Sequence, residues 1–437
     1  MNRRNLFFTM CIFVMIFLMT VSVCLAADTY SLGDLYRIGL ERAEKVKISE
    51  EDLYIAERGK DKAMALLLPR ISAYSNYTKY TEDKRNTSGA LIQPDKSTFW
   101  GVRAEESLSL SGRELTALGI SRENILKNRY DLYAVREGYL MNIALAYYDV
   151  LRVRKALDIT ESNLERLTKY RDAAQKRLKV GEVTKTVLLR AEGELSGARS
   201  ENVKVKNALE FAKAVLVRVV GIKGDFQLKE ERSEDIAIPS ESSYLDMALT
   251  GRADLKSLEI QKKIAEEQVQ FTKGAYWPTL SLSGVYAKSD QSPETPSLVK
   301  ESTYGLITLN FPFFEGGLRN AEVKEARAKE RQSALLYEDY KKSIEVEVQF
   351  AYLDLVTQKG ILKFLEDQLV YARDNYNAVA KQFEFGLSQS LDVMDANALL
   401  VTSERDLAAA VYNYQVAILK MKKATGTLLK AVTGSQS

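Results

Sequence analysis

Residues 146–181 read AYYDVLRVRKALDITESNLERLTKYRDAAQKRLKVG, and residues 351–386 read AYLDLVTQKGILKFLEDQLVYARDNYNAVAKQFEFG. The two stretches align without a gap at an offset of 205, and the match extends from Thr98–Gly221 to Thr303–Gly426. Within it Ala146, Tyr147, Asp149, Gly181, Ala191, Ala212 and Gly221 recur as Ala351, Tyr352, Asp354, Gly386, Ala396, Ala417 and Gly426. Upstream, an offset of 209 carries Ile55, Ala56, Glu57, Pro69 and Tyr77 onto Ile264, Ala265, Glu266, Pro278 and Tyr286. The repeat is far longer than a solenoid unit of roughly 20–50 residues, so it is a tandem duplication of one large structural half. Two such halves suit a pseudo-symmetric object, such as the wall of a tube.

Proline marks where the helices run. None occurs between Pro94 and Pro239, and none after Pro312. In the second gap Leu362, Leu365, Leu369, Ala372, Tyr376, Val379 and Phe383 step alternately by three and four. That is a heptad seam, which packs helices side by side. The matching set, Leu157, Thr160, Leu164, Leu167, Arg171, Ala174 and Leu178, has two polar intrusions and reads as weaker. Long helices are expected at about 114–178 and 319–383, roughly 98 Å each at 1.5 Å per residue. Return helices are expected at 186–220 and 244–275, and from Gly386 to near Gly426, with an N-terminal helix at 31–67.

Each half also carries two strands. Gly305, Ile307, Leu309, Phe311 and Phe313 alternate with Tyr304, Leu306, Thr308 and Asn310; Leu280, Leu282 and Tyr286 alternate with Thr279, Ser281 and Ser283; Trp100, Val102, Ala104, Leu108 and Leu110 share a face. Alternation over about ten residues, with aromatics near the ends, is the pattern of a membrane β-barrel strand. An ordinary half-buried soluble sheet has the same alternation. Glu106 breaks the apolar face opposite Phe311, which suits a place near the membrane edge. Four strands cannot close a barrel, and hydrocarbon does not tolerate open edges, so a spanning sheet requires several chains to share one barrel.

Composition narrows the classes. Arg3 and Arg4, the apolar run Leu6–Val23 and the small residues Cys24 and Ala26 form a leader, so residues 1–26 read as a signal peptide. A retained anchor and acylation of Cys24 are the alternatives. Both cysteines lie in that leader and histidine is absent, which removes the commonest metal ligand and general base. The chain has a net charge of +3, two units of it in the leader, so nothing points to nucleic acid. No phosphate loop or nucleophile elbow occurs, and no cofactor, metal site or catalytic residue is assigned.

Phe311-Pro312-Phe313-Phe314-Glu315-Gly316-Gly317-Leu318-Arg319 resembles the strand-to-helix junction of the TolC-like outer membrane efflux protein family. Ala275-Tyr276-Trp277-Pro278-Thr279-Leu280-Ser281-Leu282 resembles its helix-to-strand junction, and Phe385-Gly386-Leu387-Ser388-Gln389-Ser390-Leu391-Asp392-Val393-Met394-Asp395-Ala396 its periplasmic hairpin tip. The resemblance covers almost the whole chain after the leader. It implies a mostly α fold with a small membrane β part. Long antiparallel helical hairpins would form a periplasmic α-barrel, and four strands per chain would enter a shared twelve-stranded outer membrane barrel. It further implies a homotrimeric, passive exit duct of a tripartite efflux or type I secretion system. Its partners would be a periplasmic adaptor (membrane fusion) protein, an inner-membrane efflux pump or ABC transporter, and outer membrane lipid.

The resemblance also assigns residues. Asp392 and Asp395 would form stacked carboxylate rings at the periplasmic aperture, which attract cations. Read locally, the same two acids sit in the first turn of a helix, where negative charge meets the helix dipole, with Ser388 or Ser390 as its N-cap. Val180, Gly181, Gly386 and Leu387 mark the hairpin tips and adaptor docking, Phe383 and Ser388 the tip contacts, and Pro312, Gly316 and Gly317 the strand–helix junction. The chain has Val187 and Ser388 where the family's closed-state latch has an acid and an arginine. The expected domains are a first repeat at 27–221, a polar equatorial linker at 222–243, a second repeat at 244–426 and a tail at 427–437. A periplasmic coiled-coil scaffold without a pore also explains the heptads, but not the duplicated strands.

Overall fold

The computed structural model describes residues 28–223, 226–230 and 236–434, so the expected leader lies outside the described residues. In chain order the elements are β1 Asp28–Tyr30, α1 Leu32–Arg42, α2 Glu44–Ala65, β2 Arg70–Lys79, β3 Lys84–Arg85, β4 Leu91–Gln93, β5 Lys96–Ser109 and α3 Arg113–Lys179. There follow α4 Lys185–Val220, β6 Phe226–Leu228, α5 Glu241–Gly251, α6 Ala253–Lys273, β7 Thr279–Ser292, β8 Glu301–Asn310, α7 Leu318–Glu384, α8 Ser390–Ala424 and α9 Leu428–Thr433. The fold is mostly α with a small sheet part. The two long helices, α3 and α7, are 67 residues each, within a residue or so of the expected bounds.

The chain divides into two compact units. One holds the described residues up to Ala43 with Asn142–Ala237 and Gln358–Val416; the other holds Glu44–Met141, Ile238–Thr357 and the residues from Ala417 onward.

The second unit contains a four-stranded antiparallel sheet in the order β2-β5-β7-β8. Its register places Ile71, Ala73, Trp100, Val102, Ala104, Leu108, Leu280, Leu282, Tyr286, Ile307 and Leu309 on one face, as the alternation predicts. The opposite face carries Ser72, Asn76, Thr78, Arg103, Glu105, Ser281, Ser283 and Thr308 and is mostly polar. There Arg103 pairs with Glu105 at 2.9 Å and lies over the Tyr74 ring. Glu106 is on the apolar face, but it stands across from Leu282 and in one row with Ile307, not opposite Phe311. Phe311 lies beyond the end of β8, which stops at Asn310. Both edge strands, β2 and β8, are ten residues long and have no second neighbour among the described residues.

Two segments are broken where continuous helix was expected. The segment 244–275 is α5 and α6 with a kink at Arg252 (φ −69°, ψ 126°). The segment 31–67 is likewise kinked at Ala43 (φ −60°, ψ 115°), the equivalent position at the offset of 209. The Arg252 kink is fixed by a buried guanidinium. It donates to both carboxylate oxygens of Asp254 (3.0 and 2.7 Å), to Glu347 (2.6 Å) and to the Ala424 carbonyl (3.2 Å). Burial opposes the Arg252 charge, but these acids more than offset it. Tyr340 donates to Asp254 at 2.7 Å, and burial together with that bond pushes its hydroxyl up to about 12.

The first unit has a counterpart. Arg42, beside the Ala43 kink, donates to the Gly221 carbonyl at 2.7 Å, at the end of α4. The expected polar linker is not wholly surface. Ile222, Phe226 and Leu228 are buried, and β6 pairs in parallel with β1. Apolar side chains in that segment, few as they are, anchor it. The seam on α7 falls where expected: each of Leu362, Leu365, Leu369, Ala372, Tyr376, Val379 and Phe383 is at least half-buried, among mostly exposed neighbours. The seam on α3 is the better buried of the two, contrary to expectation. Thr160 is 2% exposed because its hydroxyl bonds back to the Leu157 carbonyl at 2.9 Å and takes Asn202 of α4 at 3.4 Å.

On the portion of α7 in the second unit, Ile344, Val348, Ala351 and Leu355 are buried, while Val346, Phe350 and Leu353 are exposed. In the first unit the exposed set continues with Phe364 and Tyr371. A shift of two positions is about 200° around a helix, so α7 carries apolar stripes on opposite faces.

Glu137 of α3 is buried and accepts the backbone N–H groups of Leu428 (2.9 Å) and Leu429 (3.4 Å), the first turn of α9. Burial pushes its carboxyl up in spite of those bonds. The ionised group therefore costs stability, and that cost sets in as pH rises through its folded-state pKa. Glu137→Gln keeps the acceptor and removes the charge. Its thermal midpoint should exceed wild type at about pH 7.5 and match it at about pH 4, as circular dichroism melts at the two pH values will report.

Candidate functional site

The candidate site is the pair of hairpin tips in the first unit, where α3 turns into α4 and α7 into α8. Both turns are built alike. Gly181 has φ +79° and Gly386 has φ +76°, a backbone region that only glycine enters without strain. Gly181 N–H bonds to the Leu178 carbonyl (3.1 Å) and Glu182 N–H to Arg177 (2.9 Å). Gly386 N–H bonds to Phe383 (3.0 Å) and Leu387 N–H to Gln382 (2.8 Å). These are paired 5→2 and 6→1 bonds of a Schellman cap, which satisfy the last carbonyls of each helix.

Under the tips lies an apolar core. Leu167, Tyr170 and Ala174 of α3 meet Ala191, Leu195 and Ala198 of α4, Phe383 of α7, and Val393 and Met394 of α8. Val187 is partly buried against this core, which accounts for an apolar residue at that position. Tyr170 stacks near Phe383 (centroids 5.2 Å) and donates to Ser390 Oγ at 2.6 Å; burial pushes its hydroxyl up.

Arg177 binds one tip to the other. Its Nη1 donates to the Phe383 carbonyl at 2.7 Å, its Nε to Glu182 at 2.9 Å, and the guanidinium lies 4.7 Å from the Phe383 ring centroid. Sequence reasoning missed this residue. One of its partners is a main-chain carbonyl 206 positions away, which leaves no trace in residue type. A second tie lies further along the same helices. Arg166 donates to Asn397 (3.1 Å) and pairs with Glu404 (3.3 Å), and Asn397 donates to Asn163 (2.9 Å).

The other anticipated residues are placed as follows. Val180, Gly181, Gly386 and Leu387 are exposed, with Phe385 and Leu387 each 78% accessible. Phe383 is buried, and Ser388 bonds back to the Val379 carbonyl at 3.2 Å. α8 begins at Ser390, so Gln389 rather than Ser388 or Ser390 holds the N-cap position, and Asp392 in the first turn accepts the Gln389 N–H at 2.9 Å. Asp392 and Asp395 are both exposed on α8, three positions apart, on the side away from buried Val393, Met394 and Ala396. Pro312, Gly316 and Gly317 belong to the second unit. There Gly316 (φ +62°) and Gly317 (φ +86°) turn the chain from β8 into α7, and Arg319 ties Glu315 to Glu322.

The sequence pattern of the family described as "Outer membrane efflux protein" matches residues 39–222 and 244–427, one copy per repeat. The outer membrane protein TolC of Escherichia coli is 23% identical, over 84% of this chain and 76% of that protein. The alkaline protease secretion protein AprF of Pseudomonas aeruginosa is 20% identical, over 93% and 87%. Among solved structures, the Campylobacter jejuni CmeC outer membrane channel superposes with a TM-score of 0.82 at 15% identity, covering 91% of this chain and 86% of that one.

Replacing Arg177 by Ala removes charge-assisted bonds worth about 1.5–3 kcal/mol. Amide hydrogen exchange at Gly386 and Leu387 should accelerate roughly tenfold or more. Lysine at 177, which restores charge without the two-pronged geometry, should restore only part of the protection.

Proposed function

The chain belongs to the outer membrane efflux protein family, whose members are channels, and on that premise we propose that three copies form one exit duct. Each copy contributes its four strands to a twelve-stranded barrel in the outer membrane, and its long helices to a periplasmic tunnel. The duct is passive. An inner-membrane pump or ABC transporter supplies the energy, and a periplasmic adaptor joins that transporter to the duct, for efflux or type I secretion.

One observation carries the reading. The sheet has an apolar face, a mostly polar face and two ten-residue edges without partners among the described residues. Unpaired backbone N–H and C=O groups are not tolerated in hydrocarbon, so a second copy must pair each edge. The exposed apolar stripe of α7 (Val346, Phe350, Leu353, Phe364 and Tyr371) supports the same assembly. A pore-free coiled-coil scaffold leaves the apolar sheet face without a role.

At the tips, Asp392 and Asp395 line the narrow periplasmic aperture as two carboxylate rings. Asp392 serves its helix terminus and the ring together, since one oxygen bonds Gln389 and the residue stays exposed. Val180, Gly181, Gly386 and Leu387, with the exposed ring of Phe385, receive the adaptor. Arg177 holds the tips together in place of the family's latch. The domain limits follow: repeats at 27–221 and 244–426 joined by the segment 222–243, with a leader before and a short tail after.

Trimers in planar bilayers should conduct cations in preference to anions, and polyvalent cations on the periplasmic side should block them. In the Asp392→Ala/Asp395→Ala double variant the blocking concentration should rise about tenfold or more. Unchanged block refutes the aperture assignment. A stable single subunit in native mass spectra of the membrane-extracted protein refutes the shared barrel.

A further inference from the structure

Glu106 is an acid on the apolar face of the sheet. The row that contains it reads Glu106, Leu282, Ile307 across β5, β7 and β8, and the adjacent row reads Ala104, Gly284, Gly305. Those three residues have almost no side chain. They leave a notch of about 480 Å³ lined by Pro69, Leu282, Ile307 and Glu106, with Glu105, Ser283 and Leu306 of the neighbouring rows also reaching it. No atom lies within 4 Å of where a Cβ would stand on Gly284 or Gly305, so the space is open to whatever surrounds the sheet. The Oε2 atom of Glu106 is buried and has no hydrogen-bond partner among the described residues.

Depth on the sheet matters next. One row further, Leu108 stands with Leu280 and Leu309; there β5 is about to end at Ser109, and β7 begins at Thr279. Exposed Leu66, Leu68, Tyr276 and Trp277 flank that end of the sheet. Exposed aromatic and aliphatic residues at strand ends mark a membrane interface. In the proposed duct, strand ends that lead into the long helices lie on the periplasmic side. Glu106 is thus about one row, roughly 5 Å in depth, inside the periplasmic-leaflet headgroup level. The duplication does not repeat the feature: Phe311 stands at the position equivalent to Glu106.

An acid at this depth requires a cation or a donor, and apolar walls require an aliphatic ligand body. We propose that Glu106 and the Ala104–Gly284–Gly305 notch bind the primary ammonium headgroup of a phospholipid in the periplasmic leaflet. The ammonium donates to the Glu106 carboxylate, and the first part of an acyl chain lies over Leu282 and Ile307. A trimethylammonium headgroup cannot donate a hydrogen bond, and an anionic headgroup is repelled, so ethanolamine lipid is selected over choline and glycerol lipids. The site rests on the outer membrane barrel reading, because only that reading turns this face to lipid.

The test is native mass spectrometry of detergent-extracted trimers incubated with phosphatidylethanolamine, phosphatidylcholine or phosphatidylglycerol. The wild type should retain phosphatidylethanolamine at least fivefold more than either other lipid. Glu106→Gln, which keeps size and polarity, should lose that preference while still forming trimers; Gly284→Leu, which fills the notch, should lose it too. Equal retention of the three lipids by wild-type trimers overturns the proposal, as does undiminished preference in Glu106→Gln. Loss of trimers in Glu106→Gln without any lipid preference in the wild type overturns it in favour of a neighbouring copy's donor. Failure to recover any membrane-extracted trimer is a different result, and strikes the barrel reading itself.

Discussion

The structure depends on a backbone requirement. A β-strand presents N–H and C=O groups along both sides, and in hydrocarbon each must be paired. The sheet β2-β5-β7-β8 satisfies its interior and leaves two edges. One chain has no further long strand among its described residues to pair with them; β1, β3, β4 and β6 are two or three residues each. Everything else in the proposed assembly follows from that shortfall. In that proposal the polypeptide associates before it is a membrane protein at all.

At the tips a different economy operates. Two Schellman turns end α3 and α7 with backbone bonds alone, so the turns hold their shape whatever their exposed side chains are. Val180, Phe385 and Leu387 are thereby free to serve an interface. Next to the turns, the hairpins meet through Arg177, Tyr170 and Phe383. The shape of the turns and the contact between them thus rest on different groups.

Much of this was legible in the residues. The heptad seams and the glycines that follow them bounded α3 and α7 closely, because a long helix has dozens of residues voting for one period. The strand faces were legible for the same reason. Three features were not. The kinks at Ala43 and Arg252 have no proline or glycine at the kinked residue; each is a single ψ value at or beside an arginine with a partner far along the chain, Arg42 with Gly221 and Arg252 with Glu347. The β1–β6 pair is three residues long, too short for alternation to register. Thr160 counted as a flaw in the α3 seam, yet its hydroxyl is satisfied within its own helix and by Asn202, so it packs as a small apolar residue does. The tip residues were named by resemblance, and the guanidinium that bridges the two turns was not among them, since Arg177 looks like any other charge in a basic last turn.

The two-sided character of α7 has a genetic corollary. One stripe meets helices of the same chain, while Val346, Phe350 and Leu353 look outward. In a closed ring of identical copies every outward residue recurs at each joint. In the proposed ring of three, a codon change there is felt three times in one particle, and a cell carrying two alleles would build mostly mixed rings. Damage of this kind spares the folded monomer and spreads through its sisters, so such alleles should behave as dominant.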